Sequence, residues 1–148
     1  MYTEGIKMTT PEQSQSNFRD GLSSLYFLLI CADNVIDPRE VRMGKNMMKV
    51  EGMDVDWFFE QLDYYSNMSK KAVYDYCLSA LRSCDRTQQL RCIAWMSLIA
   101  RADGVRSQEE LDLIYRIYHD EFNLPMDSIL QVLGEIQDKV IVMERMQA

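Results

Sequence analysis

A fourteen-residue pattern occurs twice in this chain, and its two copies are 70 positions apart. Residues 28–41 read LLICADNVIDPREV, and residues 98–111 read LIARADGVRSQEEL. With one inserted residue the match continues, because residues 53–62 can be overlaid on residues 124–133. Neither copy could bury its apolar side chains alone, so this repeat predicts two similar units that pack against each other.

The spacing of the apolar residues predicts helices along the whole chain. Apolar side chains recur with a period near 3.6, and only three prolines and six glycines interrupt them. We predict seven helices, one from about Phe18 to Ala32 and six that begin at or just after Asp37, Asp56, Ser69, Thr87, Ser107 and Pro125. The predicted fold class is all-α, with two pseudo-symmetric halves at about residues 18–63 and 88–134 and with residues 25–32 and 95–102 in the middle.

Length and hydropathy favour one domain outside the membrane. A chain of 148 residues with 47% hydrophobic residues can fill one sizeable core, here residues 16–148 after a flexible polar leader at residues 1–15. The longest charge-free stretch, residues 21–32, is 12 residues long, whereas a membrane span takes about 20. The first 20 residues also lack the continuous apolar run of a secretory signal. We therefore expect a cytoplasmic protein that is not inserted in a membrane.

Cysteine use agrees with that compartment. The four cysteines lie singly among apolar neighbours, without a C-x-x-C pair or a Cys/His cluster, at positions 31, 77, 84 and 92. We expect them to be buried as small apolar side chains. Met43, Met47 and Met48 are likewise expected to fill the core rather than to form a contact surface for a partner helix.

No residue pattern points to catalysis. His119 is the only histidine, it has no partnered nucleophile, and we expect it to be exposed beside Asp120. The acidic pairs Glu109/Glu110 and Asp120/Glu121 are expected on exposed helix faces, where they are solvated. The chain also lacks a glycine-rich loop that would bind phosphates. We therefore expect that the protein is not an enzyme.

The doubled motif reads Ala-Asp-Asn-Val at residues 32–35 and Ala-Asp-Gly-Val at residues 102–105, each followed by a glutamate five residues later. This pattern resembles the tellurite-resistance TerB-like family, and the resemblance covers about residues 18–143. The family also supplies the N-terminal region of DjlA-type membrane co-chaperones. The resemblance implies a compact helical fold of two pseudo-symmetric halves and a non-enzymatic module tied to stress response. It further implies a divalent-metal site, here Asp33 and Glu40 with Asp103 and Glu110.

The chemistry of these acidic residues is also compatible with a cation. Carboxylates are the hard oxygen ligands that Ca²⁺ and Mg²⁺ prefer, and Asp33, Asp37 and Glu40 could crowd one loop and the first turn of a helix. The spacing in neither copy matches an EF-hand loop. A site for Ca²⁺, Mg²⁺, Mn²⁺ or Zn²⁺ would therefore have to combine both copies, with Asp103 and Glu110 added from the second.

The same residues have a structural interpretation. Glu40 and Glu110 are spaced as capping-box partners of Asp37 and Ser107, and an aspartate in the preceding loop stabilises a turn. A cap can also bind a metal ion, so the two interpretations do not exclude each other.

The net charge of −7 is concentrated in the two repeat copies. Residues 33–63 carry −4, residues 103–134 carry −5, and the rest of the chain carries +2. Two facing copies would form an acidic patch that favours cations or a basic partner and disfavours nucleic acid.

We therefore expect a module that binds a protein partner in a tellurite-type stress response, with a divalent-cation binding domain as the alternative. The apolar tail at residues 140–146 adds the expectation of docking on the domain or of a homodimer.

Overall fold

A computed structural model describes residues 10–34, 36–102 and 107–147, and these residues form helices without any strand. The helices are α1 (Pro11–Ile30), α2 (Pro38–Val50), α3 (Val55–Ser66), α4 (Lys70–Arg82), α5 (Arg86–Ala100), α6 (Gln108–Tyr115) and α7 (Met126–Gln147). A π-helical segment, Arg116–Glu121, continues directly from α6. The all-α prediction with seven helices is confirmed, whereas the arrangement in two pseudo-symmetric halves stays a prediction. Within these ranges no helix is long and apolar enough to cross a membrane.

Helices α1 and α5 form the centre of the core. Leu25 and Leu29 of α1 and Trp95 and Ile99 of α5 are fully buried. Helix α1 packs against α4, α5 and α3, while α5 also packs against α7, α2 and α6. Because α1 and α5 have neighbours on several sides, their apolar residues cover more than one face, as the sequence predicts for α1.

Helices α2, α4, α6 and α7 begin where the sequence predicts, whereas α1, α3 and α5 begin earlier. Asp37 and Ser69 are N-caps as predicted, since they accept hydrogen bonds from the backbone N–H groups of Arg39 at 2.7 Å and Ala72 at 3.1 Å. Helix α1 begins earlier than predicted, at Pro11, because the Thr10 side chain accepts from the Gln13 N–H at 3.1 Å. Residues 11–15 are therefore helical rather than part of a polar leader.

Helices α3 and α5 begin slightly earlier than predicted, at Val55 rather than after Asp56 and at Arg86 rather than at Thr87. Asp54 caps α3, accepting from the Trp57 N–H at 2.9 Å, so Asp56 lies inside the first turn. Asp85 caps α5 through a capping box in which its side chain and that of Gln88 each accept a backbone N–H. A reciprocal pair satisfies two backbone donors at once, which explains why it prevails over Thr87.

The cysteines and Met43, Met47 and Met48 pack in or against the core as predicted, although Cys31 is only half-buried. All four cysteines are free thiols, of which Cys77, Cys84 and Cys92 are buried and Cys31 is half-buried. Met47 and Met48 are buried as well, and Met43 packs against the core at its edge. At the other end of the chain, Val140 of α7 is buried, whereas Ile141, Val142 and Met146 are exposed.

Candidate functional site

The first copy of the acidic motif lies between α1 and α2. Asp33 is half-buried in the turn after α1, and Asp37 caps α2. One oxygen of Asp37 accepts the Arg39 N–H and also lies 3.4 Å from the Arg39 Nε. Glu40, the third residue of α2, is only 3% exposed. Asp37 thus caps α2 and is half-buried like Asp33, whereas the carboxylate of Glu40 is in the interior.

Glu40 is buried next to Tyr26 of α1. Burial and the nearby negative charge of Glu40 raise the pKa of Tyr26. The Tyr26 hydroxyl also lies against the backbone of α2, because a Cβ atom at Gly44 would be 2.6 Å from its oxygen. Because Gly44 has no side chain, the Tyr26 hydroxyl can pack against the backbone of α2 one turn after Glu40.

The second copy contains the predicted capping box. The Ser107 Oγ accepts the Glu110 N–H at 3.1 Å, and Glu110 Oε1 accepts from the Ser107 N–H at 3.3 Å and from its hydroxyl at 3.0 Å. Glu110 is only 3% exposed, and its other oxygen, Oε2, is buried with no hydrogen-bond partner among the described residues. This is a buried carboxylate oxygen that a ligand could use.

The prediction that Glu109 and Glu110 both lie on an exposed face is wrong for Glu110. Glu109 is exposed, but Glu110 lies one helical turn before the buried Ile114 and therefore on the inward face of α6. The i, i+4 spacing to Ile114 was the sequence signal for this burial. The exposure predicted for His119 is confirmed, as is that of Asp120, whose Oδ1 lies 2.9 Å from the His119 Nδ1.

The five candidate metal ligands are only partly placed by the structure. Glu40 and Glu110 occupy the same position, the third residue, of α2 and α6. Asp103 lies outside the described residues, so its distance to Asp33 stays open. In the described ranges no three His, Cys, Asp or Glu side chains come together as a metal site. The metal site therefore stays a hypothesis.

An apolar groove between α5, α6 and α7 was not predicted from the sequence. It encloses about 340 Å³, and its floor is formed by buried side chains, namely Ile93, Ala100, Ile114, Ile129 and Leu133. Its edges carry four large apolar residues that remain exposed, namely Leu111 (36%), Tyr115 (47%), Met126 (45%) and Leu130 (49%). The groove thus presents apolar surface to solvent on both α6 and α7.

The groove is also lined by polar side chains, and an aromatic stack includes one of its edge residues, Tyr115. Tyr118 and four polar residues, Ser97, Arg101, Gln108 and Asp112, complete the lining. The Gln108 amide donates to the Asp112 carboxylate at 2.7 Å. The Tyr115 ring stacks on the His119 ring, with centroids 4.6 Å apart and an interplanar angle of 13°. The π-helical segment starts immediately after Tyr115, and such segments are frequent at functional sites.

The sequence signal for the groove was an apolar stripe wider than the core needs. Leu111 and Tyr115 share the helical spacing of the buried Ile114, but they lie on the flank of α6 that faces the groove and remain exposed. Met126 and Leu130 have the same i, i+4 spacing on α7. Only the packing of both α6 and α7 against α5 shows that these two pairs face one groove.

A family model described as tellurite resistance protein TerB matches residues 19–129. The matched range contains both copies of the acidic motif and most of the groove. No curated protein and no solved structure is significantly similar to the chain.

Proposed function

Because the chain belongs to the TerB family, we propose that it is a cytoplasmic, non-enzymatic module that binds a protein partner during a tellurite-type stress response. Membership in this family supports an association of the chain with tellurite resistance. The step from that association to protein binding is our proposal, and it depends on the surface of the molecule.

The observation that carries this proposal is the exposed apolar groove. Folded domains seldom leave large apolar side chains clustered at the surface unless another molecule covers them. Leu111, Tyr115, Met126 and Leu130 form such a cluster around a concave floor. Concave apolar surfaces with a few polar groups are typical of binding sites.

The proposed function is tested in cells that express the full chain under its own promoter. Cells lacking the chain should become more sensitive to tellurite, and cross-linking with mass spectrometry should identify a partner whose yield rises on tellurite exposure. Reciprocal cross-linking from that partner should recover the chain. Unchanged tellurite sensitivity together with no reciprocal partner in either condition would refute the proposal.

Divalent-cation binding is the second candidate function, supported by the buried carboxylates Glu40 and Glu110. The unpartnered Oε2 of Glu110 suits a hard cation, because burying a carboxylate oxygen without a partner is otherwise costly. In this hypothesis Asp33, Asp37 and Glu40 bind from one side and Asp103 and Glu110 bind from the other. The cation would link the two copies of the motif.

Thermal unfolding with and without Ca²⁺, Mg²⁺, Mn²⁺ and Zn²⁺ tests the cation hypothesis. A site that is filled at 100 times its Kd stabilises the folded state by about 2.7 kcal/mol, which raises Tm by several degrees. The double variant Asp33→Ala/Asp103→Ala should abolish the rise. The matched control Asp56→Ala/Asp127→Ala alters overlaid aspartates outside the motif and should keep it. A Tm that no cation changes would refute cation binding, and a rise that both double variants keep would refute a site formed by Asp33 and Asp103.

A further inference from the structure

The two edges of the groove are spaced like the contact surface for a helix. Leu111 and Tyr115 are one turn apart on α6, and Met126 and Leu130 are one turn apart on α7. One turn of helix is about 5.4 Å long. The two apolar residues on each edge are therefore spaced like side chains on one face of a bound helix. Amphipathic helices bind such grooves through apolar residues at i, i+3, i+4 and i+7.

Two of the three helices around the groove, α6 and α7, lie in a strongly acidic segment. Residues 107–138 contain eight acidic residues and one basic residue, Arg116. Seven of the eight are exposed, namely Glu109, Asp112, Asp120, Glu121, Asp127, Glu135 and Asp138. Glu121 is paired at 3.2 Å with Arg82 of α4, and the other six exposed carboxylates leave this segment with a large negative excess. Asp112 lines the groove itself, as does Arg101 at the end of α5.

We propose that the groove between α5, α6 and α7 binds one amphipathic helix of a partner protein, which carries leucine-type residues on one face and lysines or arginines beside them. This inference rests on the proposed function and specifies the chemistry of the partner. The apolar face of the helix would cover Leu111, Tyr115, Met126 and Leu130, and its basic residues would face Asp112 and the other exposed carboxylates of α6 and α7. Charge complementarity of this kind sets specificity and association rate.

The acidity of this region argues against other occupants. In a symmetric dimer the same surface meets itself, so two segments with a charge of −7 each would be brought together. A fatty acid would bring a carboxylate to a region that already carries seven exposed ones. A basic helix instead neutralises the carboxylates while its apolar face fills the groove.

The direct test uses the full chain and a fluorescein-labelled 14-residue peptide of leucine and lysine with helical periodicity, measured by fluorescence anisotropy. Leu130→Ser should raise the Kd at least tenfold, because it removes a central apolar contact. Tyr115→Ala is a second groove variant and should act in the same direction. The matched control is Val142→Ser, which also alters an exposed apolar residue of α7 but lies outside the groove and should leave the Kd within twofold.

The charge part of the proposal has its own controls. Asp112→Asn should raise the Kd about threefold, whereas Asp63→Asn, an equal charge change at an exposed position of α3, should not. A peptide with glutamate in place of lysine should bind at least tenfold more weakly. Equal Kd values for Leu130→Ser and Val142→Ser, or equal binding of both peptides, would overturn the proposal. Dimerisation of the wild-type chain in light scattering that Leu130→Ser abolishes would also overturn it, in favour of a second copy as occupant.

The outcome is separable from that of the proposed function. If the partner identified in cells is cross-linked equally by wild type and by Leu130→Ser, the groove is not the binding surface and only this inference fails. If the peptide binds as expected but no tellurite-dependent partner exists, the proposed function fails while the helix-binding groove stands.

Discussion

The carboxylate of Glu51 accepts a hydrogen bond from the indole N–H of Trp95 at 2.7 Å, although 44 positions separate the two residues. The same oxygen accepts from the Arg91 Nε at 2.5 Å, and only 9% of the Glu51 side chain is exposed. Glu51 is the C-cap of α2, while Trp95 is the largest fully buried side chain of α5. One carboxylate thus joins the C-terminal end of α2 to the central helix.

Glu51→Gln is expected to destabilise the protein by about 1–3 kcal/mol. Glutamine keeps the shape but removes the charge, so the partly buried Arg91 guanidinium loses its charged partner. The matched control is Asp75→Asn, which removes one partner of the exposed Lys71–Asp75 pair and should change stability by less than about 1 kcal/mol. Urea denaturation of both variants measures the difference, and equal effects would contradict the role assigned to Glu51.

Gly44→Ala and Gly134→Ala are expected to act in opposite directions although both lie in helices. A Cβ atom at Gly44 would be 2.6 Å from the Tyr26 hydroxyl oxygen, so alanine there should destabilise by about 1–3 kcal/mol. A Cβ atom at Gly134 meets nothing within 4 Å, so alanine there should stabilise α7 by about 0.5–1 kcal/mol. Thermal unfolding of the two variants checks this, and a stabilising Gly44→Ala would refute the close contact with Tyr26.

The parts of this fold that local chemistry determines could be predicted from the sequence. The Ser107–Glu110 capping box and the Asp37 and Ser69 caps involve residues within one turn, so their spacing alone indicates them. Where two aspartates compete, as at Asp54 and Asp56, local spacing does not decide which one caps the helix. In the structure Asp54 accepts the Trp57 N–H, and Asp56 continues the first turn, where the helix dipole favours a negative charge.

The candidate sites depend on tertiary packing, which the sequence indicates less well. Periodicity marks Leu111 and Tyr115 as apolar positions but cannot say whether another helix covers them. The structure leaves them exposed on one edge of a groove whose other edge comes from α7. The burial of Glu110 also depends on tertiary packing. A carboxylate at a capping position is solvated or buried according to which elements pack on that helix face.

The stability contribution of Asp20 is expected to depend on pH. Burial raises the pKa of this carboxyl, and the hydrogen bond from Tyr76 and the charge of Arg19 offset that only in part. The folded state therefore favours protonated Asp20, and wild type loses stability as pH rises from the unfolded pKa through the higher folded one. Relative to Asp20→Asn, wild type should be more stable at pH 3.5 than at pH 7.

Urea denaturation of wild type and Asp20→Asn across that pH range isolates the contribution of Asp20. Tyr76→Phe serves as a directional control, because it removes a hydrogen bond that lowers the Asp20 pKa and should make the pH dependence steeper. A stability difference between wild type and Asp20→Asn that stays constant with pH, or grows in favour of wild type at neutral pH, would contradict the burial of this carboxyl.

The four thiols are expected to differ in reactivity according to their burial. Burial raises the pKa of Cys77 to about 12 and that of Cys84 to about 11, and it also raises the pKa of the fully buried Cys92. Because the thiolate is the reactive form, these three should react with a disulfide reagent at pH 8 only when the protein unfolds. Cys31 is half-buried and should react first, so Cys31→Ser should remove the fast phase. All four thiols should react in denaturant, and fast reaction of a second thiol in the native protein would show that α4 or α5 is packed more loosely than the structure indicates.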